Sequence, residues 1–303
     1  NATQGWVPTI DEAVTDAPIK LNTEGIFGFG HDGSSYVSMT NLVSNAGVVA
    51  TDVTGVGTAR ATTGACEYGG DKGICGFGYD GSVQSMTNLV SNAGVVATDV
   101  TGVGTARADL AACSYGYDKG IFGYGSSAVT NLVSNAGVVA TDVTAVGTGR
   151  NDLAATEYGG DKGIFGFGAG YVSMTNLVSN TGVVGTDVTG VGSDRKCIAA
   201  CSYGEDKGIF GFGNNHTIGS NYMSMTNLVS NTGVVATDVT GVGTARAQLA
   251  STQYGEDKGI FGFGIDASGK LSMTNLVSNA GVVATDVTGV GTARGQPAAC
   301  SFN

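Results

Sequence analysis

The 303-residue sequence predicts an all-β protein, a six-bladed β-propeller of four-stranded blades whose ring is closed by the C-terminal strand pairing with the N-terminal blade. Three observations lead to this fold class. One phrase, residues 39–54 in its first copy, occurs six times with small changes; each repeat contains four short β-rich runs; and the two chain ends carry complementary halves of one repeat. A period of roughly 45 residues with four strands and no helix is typical of propellers.

A turn glycine and an arginine mark each repeat at a constant spacing. Successive turn glycines lie 43 to 51 residues apart, and an arginine follows each of them after 13 residues. These arginines are Arg60, Arg107, Arg150, Arg195, Arg246 and Arg294. Because the spacing in this part of the repeat never changes, the variation in length is confined to one loop, between the second and third strands.

The four strands of a repeat follow one another in a fixed order. In the third copy the first strand covers residues 110–115 and the second covers 120–125; in the second copy the third strand covers 85–90 and the fourth covers 95–101. Short runs of β-branched and aromatic residues between Gly, Asn and Asp are typical of strands and hairpins. No window has a sustained 3.6-residue apolar period, so we expect helix to be nearly absent.

The two ends of the chain complement each other. Residues 25–30 form a second strand with no first strand before it, and residues 298–302 form a first strand with no second strand after it. Pairing these halves closes the ring and removes both open sheet edges. We therefore expect a propeller over residues 24–303, preceded by an N-terminal extension, residues 1–23, that serves as a strap or a linking arm.

The order of features in the repeat resembles the kelch repeat, although the paired glycines of the kelch second strand are split here, as in Gly28-Phe29-Gly30. The phrases Asp-Lys-Gly-Ile-Phe-Gly-Phe-Gly and Asn-Leu-Val-Ser-Asn-Thr-Gly-Val-Val also look like repeats of poorly characterised virion and surface proteins. This resemblance covers residues 24–303 and implies extracellular display or particle structure. It supplies no catalytic residues.

Charge and composition exclude some classes of binding partner and indicate the compartment of the protein. A net charge of −11 with 14 basic residues argues against nucleic acid and anionic membranes. No run approaches the roughly 18 apolar residues of a membrane span. The chain begins at Asn1 rather than Met, and Asn1 and Asn215 head N-glycosylation triplets, so we expect a secreted or surface-displayed protein. The expected partners are further copies of the chain, through the N-terminal segment or the propeller faces, with glycans as a further candidate.

Each repeat also carries an aspartate in a Thr-Asp pair. These are Asp52, Asp99, Asp142, Asp187, Asp238 and Asp286. With the six arginines they fit either a ring of basic sites for an anionic ligand or structural Arg–Asp networks between neighbouring blades. The sixfold repetition favours the structural interpretation, because buried charges need partners and Arg suits paired, buried hydrogen bonding.

Two of the six cysteines are expected to form a disulfide. Cys66 lies on a first strand and Cys75 on the next second strand, and an even-length turn centred on Gly70-Asp71 puts them opposite each other. The other five copies have Phe at the Cys75 position, which fits a loss of the aromatic ring where a partner thiol exists. Free buried thiols are the alternative. The pairing of Cys113, Cys197, Cys201 and Cys300 is left open.

The loops between second and third strands are the candidate ligand site, because recognition usually resides in loops on a rigid scaffold. Their aromatic, histidine and aspartate residues are His31, Asp32, Tyr36, Tyr79, Asp80, Tyr171, His216, Tyr222 and Asp266. Such side chains could stack on sugars and bind their hydroxyl groups. A carbohydrate-binding propeller lectin is therefore the alternative function.

Signals of catalysis are weak in this sequence. His31 and His216 form no zinc spacing with the cysteines, and their different loops do not supply the clustered ligands that a copper oxidase on a kelch-like propeller needs. No nucleophile elbow or phosphate-binding loop occurs. The sequence therefore predicts no enzyme, no metal and no cofactor, and the expected function is an extracellular, non-enzymatic structural or assembly module such as a fibre, particle or matrix subunit.

Overall fold

The computed structural model describes residues 23–144, 146–215 and 221–303. Within these ranges every regular element is a β-strand and every strand pair is antiparallel, which confirms the all-β prediction. The strands are β1 (Glu24–Gly28), β2 (Thr40–Val43), β3 (Gly64–Tyr68), β4 (Lys72–Gly76), β5 (Thr87–Val90), β6 (Ala111–Tyr115), β7 (Lys119–Gly123), β8 (Val129–Val133), β9 (Val143–Thr144), β10 (Ala154–Tyr158), β11 (Lys162–Gly166), β12 (Thr175–Val178), β13 (Ala199–Tyr203), β14 (Lys207–Gly211), β15 (Asn214–Asn215), β16 (Asn221–Tyr222), β17 (Thr226–Val229), β18 (Ala250–Tyr254), β19 (Lys258–Gly262), β20 (Ile265–Asp266), β21 (Gly269–Lys270), β22 (Thr274–Val277) and β23 (Ala298–Phe302). No helix in the described ranges is long and apolar enough to cross a membrane.

Six sheets repeat one arrangement of a first, a second and a third strand. We number them sheet 1 (β23-β1-β2), sheet 2 (β3-β4-β5), sheet 3 (β6-β7-β8-β9), sheet 4 (β10-β11-β12), sheet 5 (β13-β14-β17) and sheet 6 (β18-β19-β22). The hairpins β15-β16 and β20-β21 lie in the loops between the second and third strands of sheets 5 and 6. The sequence runs of β-branched and aromatic residues thus form the first three strands expected of each repeat.

The first strands of the sheets contact one another in a cycle that returns to its start. β23 contacts β3, and the contacts continue through β6, β10, β13 and β18 back to β23. The predicted pairing of the two chain ends is confirmed, since β23 pairs antiparallel with β1 and places Cys300 opposite Ile26. The last strand of the chain therefore occupies the first-strand position of sheet 1.

The predicted fourth strand of each repeat is largely reduced to isolated bridges. In sheet 2, Val96 and Val100 bridge Val90 and Thr87 without a continuous ladder, and β9 of sheet 3 is the one fourth strand within the described ranges. The side chain of Asn88 replaces part of the missing ladder, because its Nδ2 donates to the carbonyl of Ala97 at 3.0 Å. The fourth segment therefore follows the sheet edge through a few backbone hydrogen bonds and the side-chain amide of Asn88.

Aromatic stacks fill the interfaces between neighbouring sheets. Phe122 of sheet 3 packs on Phe77 of sheet 2 with ring centroids 5.2 Å apart, and the guanidinium of Arg107 lies 4.2 Å from the Phe77 centroid. Four further interfaces carry the same pair, Phe165 on Tyr124, Phe210 on Phe167, Phe261 on Phe212 and Phe27 on Phe263. Each buried phenylalanine contributes roughly 2 kcal/mol of hydrophobic stabilisation, so these stacks hold the sheets together.

Candidate functional site

Six residues, each two positions after a repeat arginine, form a hydrogen-bonded circle that we call the axial ring. Its members are Thr62, Asp109, Asp152, Cys197, Gln248 and Gln296. The backbone N–H of each donates to the carbonyl of the member before it at 2.8 to 3.2 Å, and the bond from Thr62 to Gln296 closes the circle. All six have φ between 54° and 57°, a left-handed conformation that is strained for a β-branched residue such as Thr62.

A pocket of about 540 Å³ opens beside the axial ring. Tyr36, Tyr79, Val83 and Ser126 contribute its wall from the loops of sheets 1, 2 and 3, and Asp109 contributes from the ring. This volume lies within the range of roughly 300 to 1,000 Å³ that is usual for small-molecule sites. The pocket therefore combines aromatic surface with hydroxyl and carboxyl groups.

Three aromatic side chains lie next to one another, and two of them, Tyr36 and Tyr79, line the pocket. The ring centroids of His31 and Tyr36 are 5.1 Å apart, and those of Tyr36 and Tyr79 are 5.9 Å apart, both in edge-on geometry. The Nδ1 atom of His31 accepts a hydrogen bond from the backbone N–H of Gly33 at 3.0 Å, which orients the imidazole. Three of the sequence-predicted ligand residues are thus brought together.

Asp109 lines both the pocket and the narrow opening enclosed by the first strands. Burial, with the neighbouring charge of Asp152, raises the pKa of Asp109 to about 6, while Lys196 acts in the opposite direction. The carboxylate of Asp152 pairs with the Lys196 ammonium at 3.3 Å. A carboxyl group that titrates near neutrality beside a paired carboxylate is suited to general acid–base chemistry.

Three predicted ligand aspartates instead organise their own loops. Asp32 accepts the backbone N–H of Ser34 at 2.7 Å, and Asp266 accepts that of Ser268 at 2.7 Å. Asp80 makes the equivalent bond with its own loop. These are Asx-type turns, and their carboxylates serve the loop backbone.

The remaining predicted ligand and glycosylation residues are dispersed. Tyr171 lies with its ring centroid 5.6 Å from the Lys196 ammonium, and Tyr222 lines a separate pocket of about 380 Å³ over sheet 5. Asn215 lies in β15 opposite Asn221. Asn1, His216 and residues 1–22 of the predicted extension lie outside the described residues.

The repeat arginines are buried within a network that includes the repeat aspartates. Arg60 donates from Nε to the carbonyl of Phe77 at 2.8 Å and from Nη2 to Asn88 Oδ1 at 2.6 Å, and its Nη1 lies 3.7 Å from Asp99 Oδ1. Asp99 also accepts the hydroxyl of Thr58 at 2.7 Å. The corresponding Arg–Asp distances for Arg107–Asp142, Arg246–Asp286 and Arg294–Asp52 are 4.0, 3.9 and 3.9 Å. Arg60 is 0% exposed, so it offers no open basic surface to an anionic ligand.

The strand register corrects the predicted Cys66–Cys75 disulfide. Tyr68 pairs with Lys72 around a three-residue turn, so Cys75 lies opposite Ala65 and Cys66 lies opposite Ile74. Because neighbouring residues of a strand point to opposite faces, the two thiols leave sheet 2 on different sides. Cys66 Sγ lies against Gly120 of sheet 3. The prediction assumed an even-length turn and was wrong by one residue.

Sequence reasoning missed Asp109, which lines the pocket, and its charged neighbours Asp152 and Lys196. A signal was present, since the ring position varies between Thr, Asp, Cys and Gln among the copies while the arginine two residues earlier does not vary. Chemical variation on a constant scaffold points to a functional position as clearly as variation in a loop does.

Comparison with known proteins gives a likeness in fold. No family model matches the chain, and no curated protein matches it in sequence. Among solved structures it is similar to a novel fungal alcohol oxidase of the AA5 family, in complex with copper, with a TM-score of 0.57 and 13% identity. The match covers 92% of this chain and 65% of the oxidase. At this identity the likeness concerns the fold.

This match contradicts two sequence-based predictions, that the chain is no enzyme and that it is a structural or assembly module. The oxidase carries an enzyme activity on a chain of similar fold, and the lectin alternative, which is also non-enzymatic, is set aside with them. The two predictions failed because they derived the function from the repeats that build the fold, and a fold does not determine its activity. Repeated strands dominate the sequence, whereas catalytic groups occupy a few positions at one face.

Proposed function

We propose that the chain is an enzyme that hydrolyses a glycosidic bond by general acid–base catalysis, at one face of a kelch-like six-bladed β-propeller. The cyclic contacts of the first strands and the closed axial ring support the propeller. The observation that carries the enzymatic part is the carboxyl group of Asp109, whose burial raises its pKa to about 6 within a pocket of suitable size.

The two acidic members of the axial ring take complementary roles. Asp109, protonated below about pH 6, donates its proton to the glycosidic oxygen as the C–O bond breaks. Asp152, which lines the adjoining axial opening together with Asp109 and pairs with Lys196 at 3.3 Å, accepts a proton from the water molecule that attacks the anomeric carbon. The products are a sugar hemiacetal and a free alcohol, and the protons balance. Pairs of carboxyl groups in different environments are the usual machinery for this reaction.

The composition of the pocket favours a sugar as substrate. The rings of Tyr36 and Tyr79 offer the apolar surface on which a pyranose stacks, and Tyr79 is 37% exposed. The hydroxyl of Ser126 and the side chains of Thr62 and Gln296 line the same pocket and can bond to sugar hydroxyl groups. This combination suits a polar, hydroxyl-rich molecule better than an apolar one.

The copper of the similar oxidase does not fit the side chains at this pocket. Cu(II) in an N,O site prefers several imidazole ligands in tetragonal geometry. His31 is the one histidine among the described residues, and its Nδ1 already accepts the N–H of Gly33. In the described ranges no three His, Cys, Asp or Glu side chains cluster to hold a metal. We therefore derive no step through copper.

The proposal is tested with a panel of 4-nitrophenyl glycosides between pH 4 and 8. We expect release of nitrophenol from at least one glycoside, with a rate that falls above about pH 6 as Asp109 loses its proton. Asp109→Asn should lower kcat by about 10²-fold or more. Asp266→Asn, which alters an equivalent turn in a loop that does not line this pocket, is the matched control and should leave kcat unchanged.

Two outcomes would overturn the proposal. One is the absence of nitrophenol release from every glycoside. The other is production of hydrogen peroxide from simple alcohols by copper-loaded protein, at a rate that Asp109→Asn leaves unchanged, which would favour an oxidase.

A further inference from the structure

One of the six interfaces between sheets departs from the pattern of the other five. Five interfaces pair a phenylalanine of the second strand with an aromatic ring of the preceding sheet. At the interface between sheets 1 and 2, Cys75 occupies the phenylalanine position and lies in a buried cluster with Phe29 and Cys300. The aromatic pair is therefore lost at the interface to which the C-terminal strand belongs.

The thiol that faces Cys75 comes from the first strand of sheet 1. The first-strand residue at the Cys300 position points toward a glycine of the next sheet in every copy, and a Cβ placed on Gly73 would collide with Cys300 Sγ. Cys75 lies two residues beyond Gly73 on β4, so its side chain emerges on the same face. Cys75 and Cys300 belong to the same buried cluster, and each residue is 4% exposed.

This arrangement of cysteines occurs at a single interface. The equivalents of Cys300 in the other copies are Cys66, Cys113, Thr156, Cys201 and Thr252, and each of them meets a sheet that carries Phe at the Cys75 position. The first-strand position therefore accepts either Cys or Thr, whereas a cysteine on both sides occurs between sheets 1 and 2.

We propose that Cys75 and Cys300 form a disulfide that fastens the C-terminal strand β23 to sheet 2. The bond would join residues that are 225 positions apart in the sequence and would resist detachment of β23, the strand that completes sheet 1.

The oxidation balances as a thiol–disulfide exchange with a low-molecular-weight disulfide of the glutathione class. The Cys75 thiolate attacks one sulfur of that disulfide and displaces a thiolate; Cys300 then loses its proton, attacks Cys75 Sγ and displaces the second thiolate. Two protein thiols become one disulfide and the reagent becomes two thiols. Because both cysteines are 4% exposed in the folded protein, the exchange takes place while the chain folds.

Peptide mapping tests the bond directly. The full chain is refolded in a mixture of oxidised and reduced glutathione, alkylated, and digested with trypsin without reduction. Cleavage after Arg60, Lys72, Arg107 and Arg294 separates Cys66, Cys75 and Cys300 into three peptides. We expect a linked species of peptides 73–107 and 295–303. Recovery of Cys75 and Cys300 as alkylated thiols, as glutathione adducts or in bonds to other cysteines would overturn the proposal.

Thermal unfolding provides the second readout. Cross-linking of such distant residues should raise the melting temperature of the oxidised protein by about 5–10 °C over the reduced protein. Cys300→Thr, which copies the natural residue of two other repeats, should abolish this difference. Cys201→Thr is the matched control and should retain the difference in melting temperature between the oxidised and the reduced protein. Equal oxidised-minus-reduced differences in Cys300→Thr and Cys201→Thr would contradict the bond.

Discussion

The backbone N–H of Asp152 donates to the carbonyl of Asp109 at 3.0 Å, so the two acidic residues of the axial ring are consecutive around it. They lie in different environments, because Lys196 pairs with the Asp152 carboxylate whereas burial dominates at Asp109. Two neighbouring carboxyl groups in different environments supply both a proton donor and a proton acceptor. The ring of backbone hydrogen bonds fixes their relative position.

Replacing Asp109 should stabilise the fold at neutral pH and leave it unchanged in acid. Burial raises the pKa of Asp109 to about 6, above the usual unfolded value near 3.9. The contribution of Asp109 to the free energy of unfolding is therefore fully present below about pH 4 and is lost as the pH rises through about 6. We expect Asp109→Asn to raise the free energy of unfolding by about 1–2 kcal/mol at pH 7.5, allowing for solvent screening, with no gain at pH 4. Urea unfolding at both pH values measures this.

Asp80→Asn is the control for the Asp109 experiment. A hydrogen bond from Gln84 lowers the pKa of Asp80 and burial opposes it, so its ionised form is favoured in the folded state. This variant should gain no stability at pH 7.5. A stability difference for Asp109→Asn that is the same at pH 4 and pH 7.5 would contradict the assigned titration.

The strands were predictable from the sequence because their information is local. A run such as Gly163-Ile164-Phe165-Gly166 places two large apolar residues between glycines and lies between two turn signals, and its recurrence in six repeats with small changes strengthens the prediction. The pairing of the two chain ends was predictable for the same reason. Local composition did not reveal the length of the turn in sheet 2. This turn has three residues, and Gly69 and Gly70 in it adopt positive φ.

The candidate site was only partly predictable, because it depends on ring closure. Tyr36 and Tyr79 were identified from the variable loops, and both line the pocket. Asp109 and Asp152 are 43 residues apart in the sequence and become neighbours through the axial ring. The pKa of Asp109 depends on burial that no sequence window shows.

The repeat aspartates should make the protein sensitive to acid. A hydrogen bond from the Thr105 hydroxyl, opposed by burial and supported by Asn131, lowers the pKa of Asp142. Its stabilising contribution is therefore present above the unfolded value near 3.9 and is lost as the pH falls through the lower folded value. Asp142→Asn should lower the free energy of unfolding by about 1 kcal/mol at pH 7, and the difference from the wild-type protein should shrink below about pH 4.

Thr105→Val separates the hydrogen bond of Asp142 from its charge. This variant removes the hydroxyl donor, which lies 2.6 Å from Asp142 Oδ2, and keeps the carboxylate. Thr105→Val should lose less stability than Asp142→Asn and show the same dependence on pH. Thermal unfolding from pH 2.5 to 7 measures both. A loss for Asp142→Asn that grows as the pH falls below 4 would refute the sign of this contribution.

The buried arginines should matter far more for stability than the exposed lysines. Arg60 is 0% exposed, donates to the carbonyl of Phe77 and to Asn88, and stacks 4.5 Å from the centroid of Phe29. Arg60→Met leaves these acceptors buried without their donor, so we expect urea unfolding to show a loss of about 3 kcal/mol. Lys207→Met is the control, because Lys207 forms a solvent-exposed pair with Asp206 at 2.7 Å, and this variant should leave the free energy of unfolding nearly unchanged. Equal losses in the two variants would show that the arginine network does not hold the sheets together.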